Sequence, residues 1–321
     1  MGADNVLEIS IIKYTKENKT IWDEFCKAAK NRHFFFQRDY MEYHKDRFID
    51  GSLMFFEEKK GLIACLPASQ NGTSYVSHGG LTFGGFVVDN NMTTSLMLEC
   101  FAVLNNYLAA HGFKEFIYKC MPYIYHRYPA DEDLYALFRN KAELIRRDVS
   151  TSIYLPTRYK YYKGRKWMVN KGKKSGFVIK NSFDFDGFIA LENDVLQRYH
   201  DASAVHSASE LLLLAERFPD NIRLYTAELN GALMAGTVIF DNGQVVHTQY
   251  MANSEAGREI GALDAVIDYL ISNVYADRMY FDFGISNEDD GYYLNEGLIR
   301  QKEGFGARAV VHDYYRIVLG G

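Results

Sequence analysis

Hydrophobic and polar positions along the chain change their period repeatedly, and these changes predict an alternation of helices and strands. Apolar residues at helical spacing predict a helix over 21–29, and Leu53 to Phe56 with Gly61 to Leu66 predict a hairpin turning at the charged Glu57 to Lys60. Ser95 to Ala110 reads as a strongly apolar helix, Phe113 to Cys120 as a strand, Asp131 to Asn140 as a helix and Val149 to Leu155 as a strand. Further on, Ser207-Ala-Ser-Glu210 is a capping box that opens a helix through Leu211 to Leu214, and Pro219 closes it. Three strands follow, Ile222 to Glu228, Leu233 to Phe240 and Val245 to Ala252. They are joined by Asn230-Gly231 and Asn242-Gly243, dipeptides that tight hairpin turns favour. A helix from Ala262 to Asn273, a strand Arg278 to Gly284, a helix Tyr293 to Glu303 and a strand Ala309 to Leu319 complete the pattern.

Both halves therefore end in helix, strand, helix, strand, which points to an internal repeat. At a constant offset of 161, Leu137, Arg139, Lys141, Arg147, Val149 and Tyr154 fall on Leu298, Arg300, Lys302, Arg308, Val310 and Tyr315. A length of 321 residues suits two domains of about 150, each able to bury a core. The boundary is expected in the segment Thr157 to Ser175, which carries eight Lys or Arg and no acid in a chain of net charge −5, so that the remainder stands at −13. The expected organisation is a half over 1–156, a basic linker over 157–175 and a second half over 176–321. The linker is open to two readings, a solvated connection or a phosphate-facing surface built on Lys163, Arg165 and Lys166.

Hydrophobic residues at 48% and charged residues at 24% describe a globular chain, and the net negative charge argues against DNA as a partner. Cys26, Cys65, Cys100 and Cys120 are widely spaced, form no C-x-x-C and read as buried reduced thiols, and no metal is implied by the spacing of His and carboxylates. The start has no basic region followed by an apolar run, and no stretch reaches the roughly 20 apolar residues that cross a bilayer, so a cytoplasmic location is expected. The glycine-rich stretch His78 to Phe86 suits close backbone approach, and with Tyr118, Lys119, Arg146 and Arg147 it is a candidate acceptor surface. The polar and aromatic cluster of His33, Arg38, Asp39, Tyr40, His44 and Arg47 is expected on an exposed helix face.

A meander followed by helix, strand, helix and strand resembles the GNAT fold. In that fold the fourth and fifth strands splay apart around an acyl-thioester cofactor. The resemblance puts the fourth strand at Val245 to Ala252 and the fifth at Arg278 to Gly284. Tyr280-Phe-Asp-Phe-Gly-Ile-Ser286 and Gly291 to Gly306, ending Gln301-Lys-Glu-Gly-Phe-Gly306, resemble more specifically the Fem-type branch, which carries two GNAT-like halves in one chain. The fold class implied is α+β, two tandem halves each with a mixed, mostly antiparallel sheet flanked by helices.

The resemblance implies N-acyl transfer from acetyl-CoA or another acyl-CoA to a primary amine of an amino sugar, nucleotide sugar or cell-wall precursor. Arg258, Gly261, Ala262 and Gln249 would hold the cofactor, because free amides at a helix N-terminus beside a glycine accept pyrophosphate. The family's loop pattern asks for Gly or Ala where Leu263 stands. Lys302 is placed beside the reacting carbonyl, with His247, Tyr250 and Asp282 as further catalytic candidates. Strand alternation puts His247 and Gln249 on one face and Tyr250 on the other, and Asp282 could cap a helix or pair with Arg300 or Arg308. Lys163, Arg165, Lys166 and Asn295 are candidate substrate contacts. Two alternatives stay open: transfer from aminoacyl-tRNA, and a non-catalytic binding protein that keeps the duplicated fold.

Overall fold

A computed structural model of the chain describes residues 8–200 and 203–320. They divide into two units, one of residues up to Asp148 together with those from Val311, the other Val149–Val310. The elements up to the first long strand are β1 (Ile9–Lys13), α1 (Lys19–Ala28), α2 (Arg38–Met41), β2 (Ile49–Asp50), β3 (Leu53–Glu57), β4 (Gly61–Leu66), β5 (Ser69–Asn71), β6 (Ser74–Val76), β7 (Val87–Val88), α3 (Thr94–Ala110), β8 (Glu115–Lys119), α4 (Glu132–Arg139) and β9 (Glu143–Tyr154). Then follow α5 (Lys163–Lys173), β10 (Val178–Ser182), α6 (Phe185–His200), α7 (Ala208–Arg217), β11 (Ile222–Leu229), β12 (Ala232–Asp241), β13 (Val245–Asn253), α8 (Glu255–Ile260), α9 (Ala262–Tyr269), β14 (Tyr280–Ile285), β15 (Asn287–Glu288), β16 (Tyr293–Leu294), α10 (Glu296–Glu303) and β17 (Arg308–Val318).

The first unit holds a sheet of order β1-β3-β4-β7 and a strand series β17-β8-β6-β5-β2, in which only β6 and β8 run parallel. Its core gathers Phe86, Phe101, Phe116 and Tyr118 with Ile317 and Leu319 from the far end of the chain. The second unit holds β10-β11-β12-β13-β14-β9, antiparallel except for β13 against β14. Each unit is thus a mixed, mostly antiparallel sheet with helices, as the resemblance implies. The meander has one strand more than the apolar pattern shows, because β10 pairs with β11 along its length while alternating few apolar residues. All four cysteines are buried and unbridged. No helix among the described residues is long and apolar enough to cross a membrane.

Two expectations are corrected here. The basic segment is not a free connection: its centre is the helix α5, which buries Val169 and Gly172 against α8 and α9. Charge runs hide this, since Lys and Arg are good helix formers and only Val169 and Gly172 of the helix are buried. The polar and aromatic cluster of the first unit is mostly buried rather than exposed: His33, Arg38, Tyr40 and His44 are all inside. Arg38 is made tolerable there by ion pairs to Glu42 and Asp50, and its guanidinium lies 3.7 Å from the Tyr14 ring centroid.

Candidate active site

β13 and β14 pair in parallel only at Val245 with Tyr280, Val246 with Phe281 and His247 with Asp282. Beyond that register they diverge, and the gap between them is walled by Met251 and Phe283 from the strands, Leu263 and Ile267 from α9, and Phe305. The remaining space is ≈ 10 Å³, enough for about one water. The splayed pair expected from the resemblance is therefore present, with Lys302, Gln301 and Arg165 also lining the gap.

At the apex of the splay sits Asp282, fully buried. A carboxylate in an apolar strand survives only with donors around it. Asp282 has them: the Ser150 hydroxyl donates at 2.6 Å, the Ser152 hydroxyl at 2.5 Å and the Gly284 amide at 3.2 Å. The serines share Oδ1, and the imidazole of His247 meets Oδ2, the oxygen that the Gly284 amide also serves, through Nδ1 at 2.6 Å. These partners differ from the Arg300, Arg308 or helix end expected for Asp282. A carboxylate at Nδ1 fixes the neutral tautomer with its proton there and leaves Nε2 as the acceptor. Gly284, at φ +74°, lets the chain turn beside the ring, where a built Cβ would lie 3.1 Å from His247 Cε1.

Lys302, in the last turn of α10, is only 4% exposed. Its ammonium donates to the carbonyls of Gly284 at 2.9 Å and Ile285 at 2.6 Å, at the end of the strand that carries Asp282. Those two bonds leave a third N–H. Burial pulls its pKa from 10.5 down to about 8, against the opposing pull of the Asp282 charge, so the side chain is still mainly an ammonium at neutral pH. Lys141, its partner at the 161 offset, lies exposed just after α4 and has φ +53°.

The alternation argument about Tyr250 fails for a local reason. The register skips Gln249, since Val238 faces Tyr250 and Ile239 faces Thr248, so Gln249 is a bulge that resets the parity of β13. Val246 and Met251, five residues apart, consequently face the same core. Tyr250 and His247 come to share the opposite face, where Tyr250 hydroxyl meets Nδ1 of His206 at 2.7 Å. Sequence gives no sign of this bulge, because neither Gly nor Pro marks it. Ser150 and Ser152 were missed as well, being small polar residues in a strand read only for its apolar face.

The expected cofactor residues are held differently. Gly261 caps α9 in the left-handed conformation, with Ala262 buried behind it. Helix α5 lies directly on this end: a Cβ on Gly172 would overlap the Gly261 carbonyl, and one on Gly261 would overlap the Met168 carbonyl. Arg165 pairs with Asp264 in the first turn of α9, and its guanidinium stacks 4.6 Å from the Phe305 centroid. Lys173 reaches Asp268 at 2.5 Å. Arg258 is exposed on α8 and donates to the Asn253 carbonyl at 3.3 Å. Asn295 caps α10, its side chain accepting from the Leu298 amide at 3.0 Å. Lys163 and Lys166 are exposed on α5.

Residues 156–292 match the family model described as an acetyltransferase (GNAT) domain. That segment is matched as a GNAT domain, and the chain as a whole has the fold of tandem GNAT structures. Among solved structures it is similar to FemX, with a TM-score of 0.68 at 11% identity over 97% of both chains. It is also similar to L-PGS from Bacillus licheniformis, TM-score 0.61 at 13% identity, covering 94% of this chain and 91% of that one. A tandem GNAT protein from the clavulanic acid biosynthesis pathway matches at TM-score 0.57 and 10% identity, over 98% of this chain and 99% of that one. No curated protein sequence matches the chain. GNAT domains generally bind acyl-CoA, but the residues at the start of α9 do not fit its diphosphate. The Met168 carbonyl of α5 crowds Gly261 at this helix start, and Arg165, the nearby cation, is engaged by the Asp264 carboxylate.

Proposed function

We propose that the chain is an N-acyltransferase that moves an acyl group from an activated donor to the primary amine of a small or nucleotide-linked acceptor, such as an amino sugar, nucleotide sugar or cell-wall precursor. The observation that carries this reading is the buried Lys302 ammonium with a spare N–H, lining the gap between the splayed strands. The amine nitrogen attacks the acyl carbonyl, and the Lys302 ammonium donates to the oxygen as it gains charge. His247 Nε2, oriented by Asp282, accepts the proton that the nitrogen releases. Lys302→Met should lower turnover about 100- to 1000-fold, as the loss of one oxyanion donor does. Lys141→Met, by contrast, should leave turnover nearly intact. Equal rates for wild type and Lys302→Met in a screen of amino-sugar acceptors, at matched thermal stability, overturn the reading.

The donor deserves two arms. An acyl-CoA donor is the family expectation, against which stands the packing of α5 on the start of α9. Aminoacyl-tRNA is favoured by the outer face of α5, where Lys163, Lys166, Lys171 and Lys174 are exposed beside Trp167, itself 61% exposed. Basic residues with exposed aromatics suit a polyanionic carrier. If this donor is correct, binding of charged tRNA should weaken as salt rises from roughly 50 to 200 mM and in the triple variant Lys163→Gln, Lys166→Gln, Lys171→Gln. Calorimetric binding of CoA or acetyl-CoA by wild type, with no response to charged tRNA, selects the thioester instead.

A further inference from the structure

The face of β13 that carries His247 and Tyr250 is covered by α6. Gly236 fixes this packing, since a Cβ there would stand 2.8 Å from Cδ2 of Phe188 on α6, and Val238, two residues on, is the partner of Tyr250. Glu192 follows Phe188 by one helical turn and so projects from the same side of α6. It is 6% exposed, and its Oε2 is buried without a hydrogen-bond partner among the described residues. Nearby, the Tyr250 hydroxyl is held by the His206 amide at 3.3 Å and by His206 Nδ1 at 2.7 Å, which fixes the phenol in place. An uncompensated buried carboxylate is among the more costly features a fold can keep, and such groups concentrate where a ligand supplies the missing partner.

We propose that Glu192, beside the Tyr250 hydroxyl, is the recognition group for the acceptor's ammonium, so that the amine meets the acyl carbon from the α6 face while Lys302 holds the acyl oxygen from the α9 side. The proposal rests on the acyl-transfer reading and deepens it. An alkylammonium must lose two protons to become a neutral secondary amide, so a single base does not close the balance. The first N–H bond breaks at the ammonium and the proton passes to the Glu192 carboxylate, leaving a lone pair on nitrogen. That pair forms the C–N bond as the bond from the acyl carbon to the carrier breaks and the carrier departs with the electron pair. The second proton leaves the nitrogen for His247 Nε2, from which the departing carrier can take it. Burial alone raises Glu192 to about 7, which suits a carboxylate that must hold an ammonium and then accept its proton near neutral pH. Among the described residues, the groups at the Tyr250 phenol include His206 and Gln249, and burial raises that phenol, with Glu192 adding to the rise.

The test is thermal-shift titration at pH 7.5 of wild type, Glu192→Gln, Glu192→Asp and Lys302→Met against glucosamine, galactosamine, ethanolamine and lysine amide, with N-acetylglucosamine as the uncharged control. At least one primary amine should raise the melting temperature of wild type and of Lys302→Met, N-acetylglucosamine should not, and the shift should vanish in Glu192→Gln and shrink in Glu192→Asp. No shift with any amine, or a shift undiminished in Glu192→Gln, overturns the proposal. The two readings fail separately. An amine shift that needs Glu192 in a protein that acylates nothing supports the ammonium site and overturns the enzyme reading. Turnover that collapses in Lys302→Met but is indifferent to Glu192→Gln does the reverse.

Discussion

Lys302 keeps its charge at the edge of what burial allows, and its pH behaviour follows from that. Its folded pKa of about 8 lies below the ordinary 10.5, so between these values the unfolded chain binds more protons than the native one. Stability should therefore rise with pH across that window, and Lys302→Met should abolish the rise in urea unfolding midpoints measured at pH 7.5 and pH 10. Activity runs the other way: the ammonium is the working form, so turnover should fall as pH passes through about 8. Lys302→Arg, if active, should hold its rate to higher pH, because guanidinium keeps its charge. At His247 the expectation is a loss of about 100- to 10,000-fold in His247→Gln, the range for a removed general base. Removing either serine that serves Asp282 leaves the carboxylate short of a donor, at a cost of about 1–3 kcal/mol in denaturant unfolding of Ser150→Ala or Ser152→Ala.

Among the elements, α5 decides most about the site, since it is what closes the start of α9. Its two glycines make opposite predictions. Nothing stands within 4 Å of a Cβ on Gly164, so Gly164→Ala should stabilise the helix by about 0.5–1 kcal/mol. A Cβ on Gly172 must displace the Gly261 backbone, so Gly172→Ala should destabilise by about 1–3 kcal/mol, as overpacking does. Equal effects of the two changes on urea unfolding would remove α5 from its place on α9. The same element shows where a reading of sequence stops. Its five positive charges were plain to see, but its packing rests on one glycine meeting another across 89 residues, a contact no local pattern announces. The bulge at Gln249 is a similar case: alternation was legible, and the one extra residue that shifts it was not.

For the molecule as a whole, the last strand belongs to the first unit from Val311 onward, and there Ile317 and Leu319 join a core built by residues some two hundred positions earlier. Arg147 clamps this strand through a two-bonded contact to Asp313, at 2.6 and 2.7 Å. Ile317→Ala should accordingly destabilise the first unit by about 2–5 kcal/mol, read as an earlier unfolding step, with Lys302 and the second unit untouched in place. What the sequence by itself determined is the part that depends on local periodicity and turn chemistry. It set the alternation of helices and strands, the Asn-Gly hairpins, the duplicated order of elements, and the Asp-Phe-Gly and Lys-Glu-Gly-Phe-Gly stretches that put Asp282 within a strand and Lys302 at a helix end. Only the tertiary structure decided how those groups are used, because hydrogen bonds and burial join residues without regard to their separation along the chain. It gave Asp282 two serines from 132 and 130 residues away and a histidine from 35. It buried one lysine of the repeat and left its counterpart in water. It also turned a basic stretch that reads as a linker into the helix that crowds the start of α9.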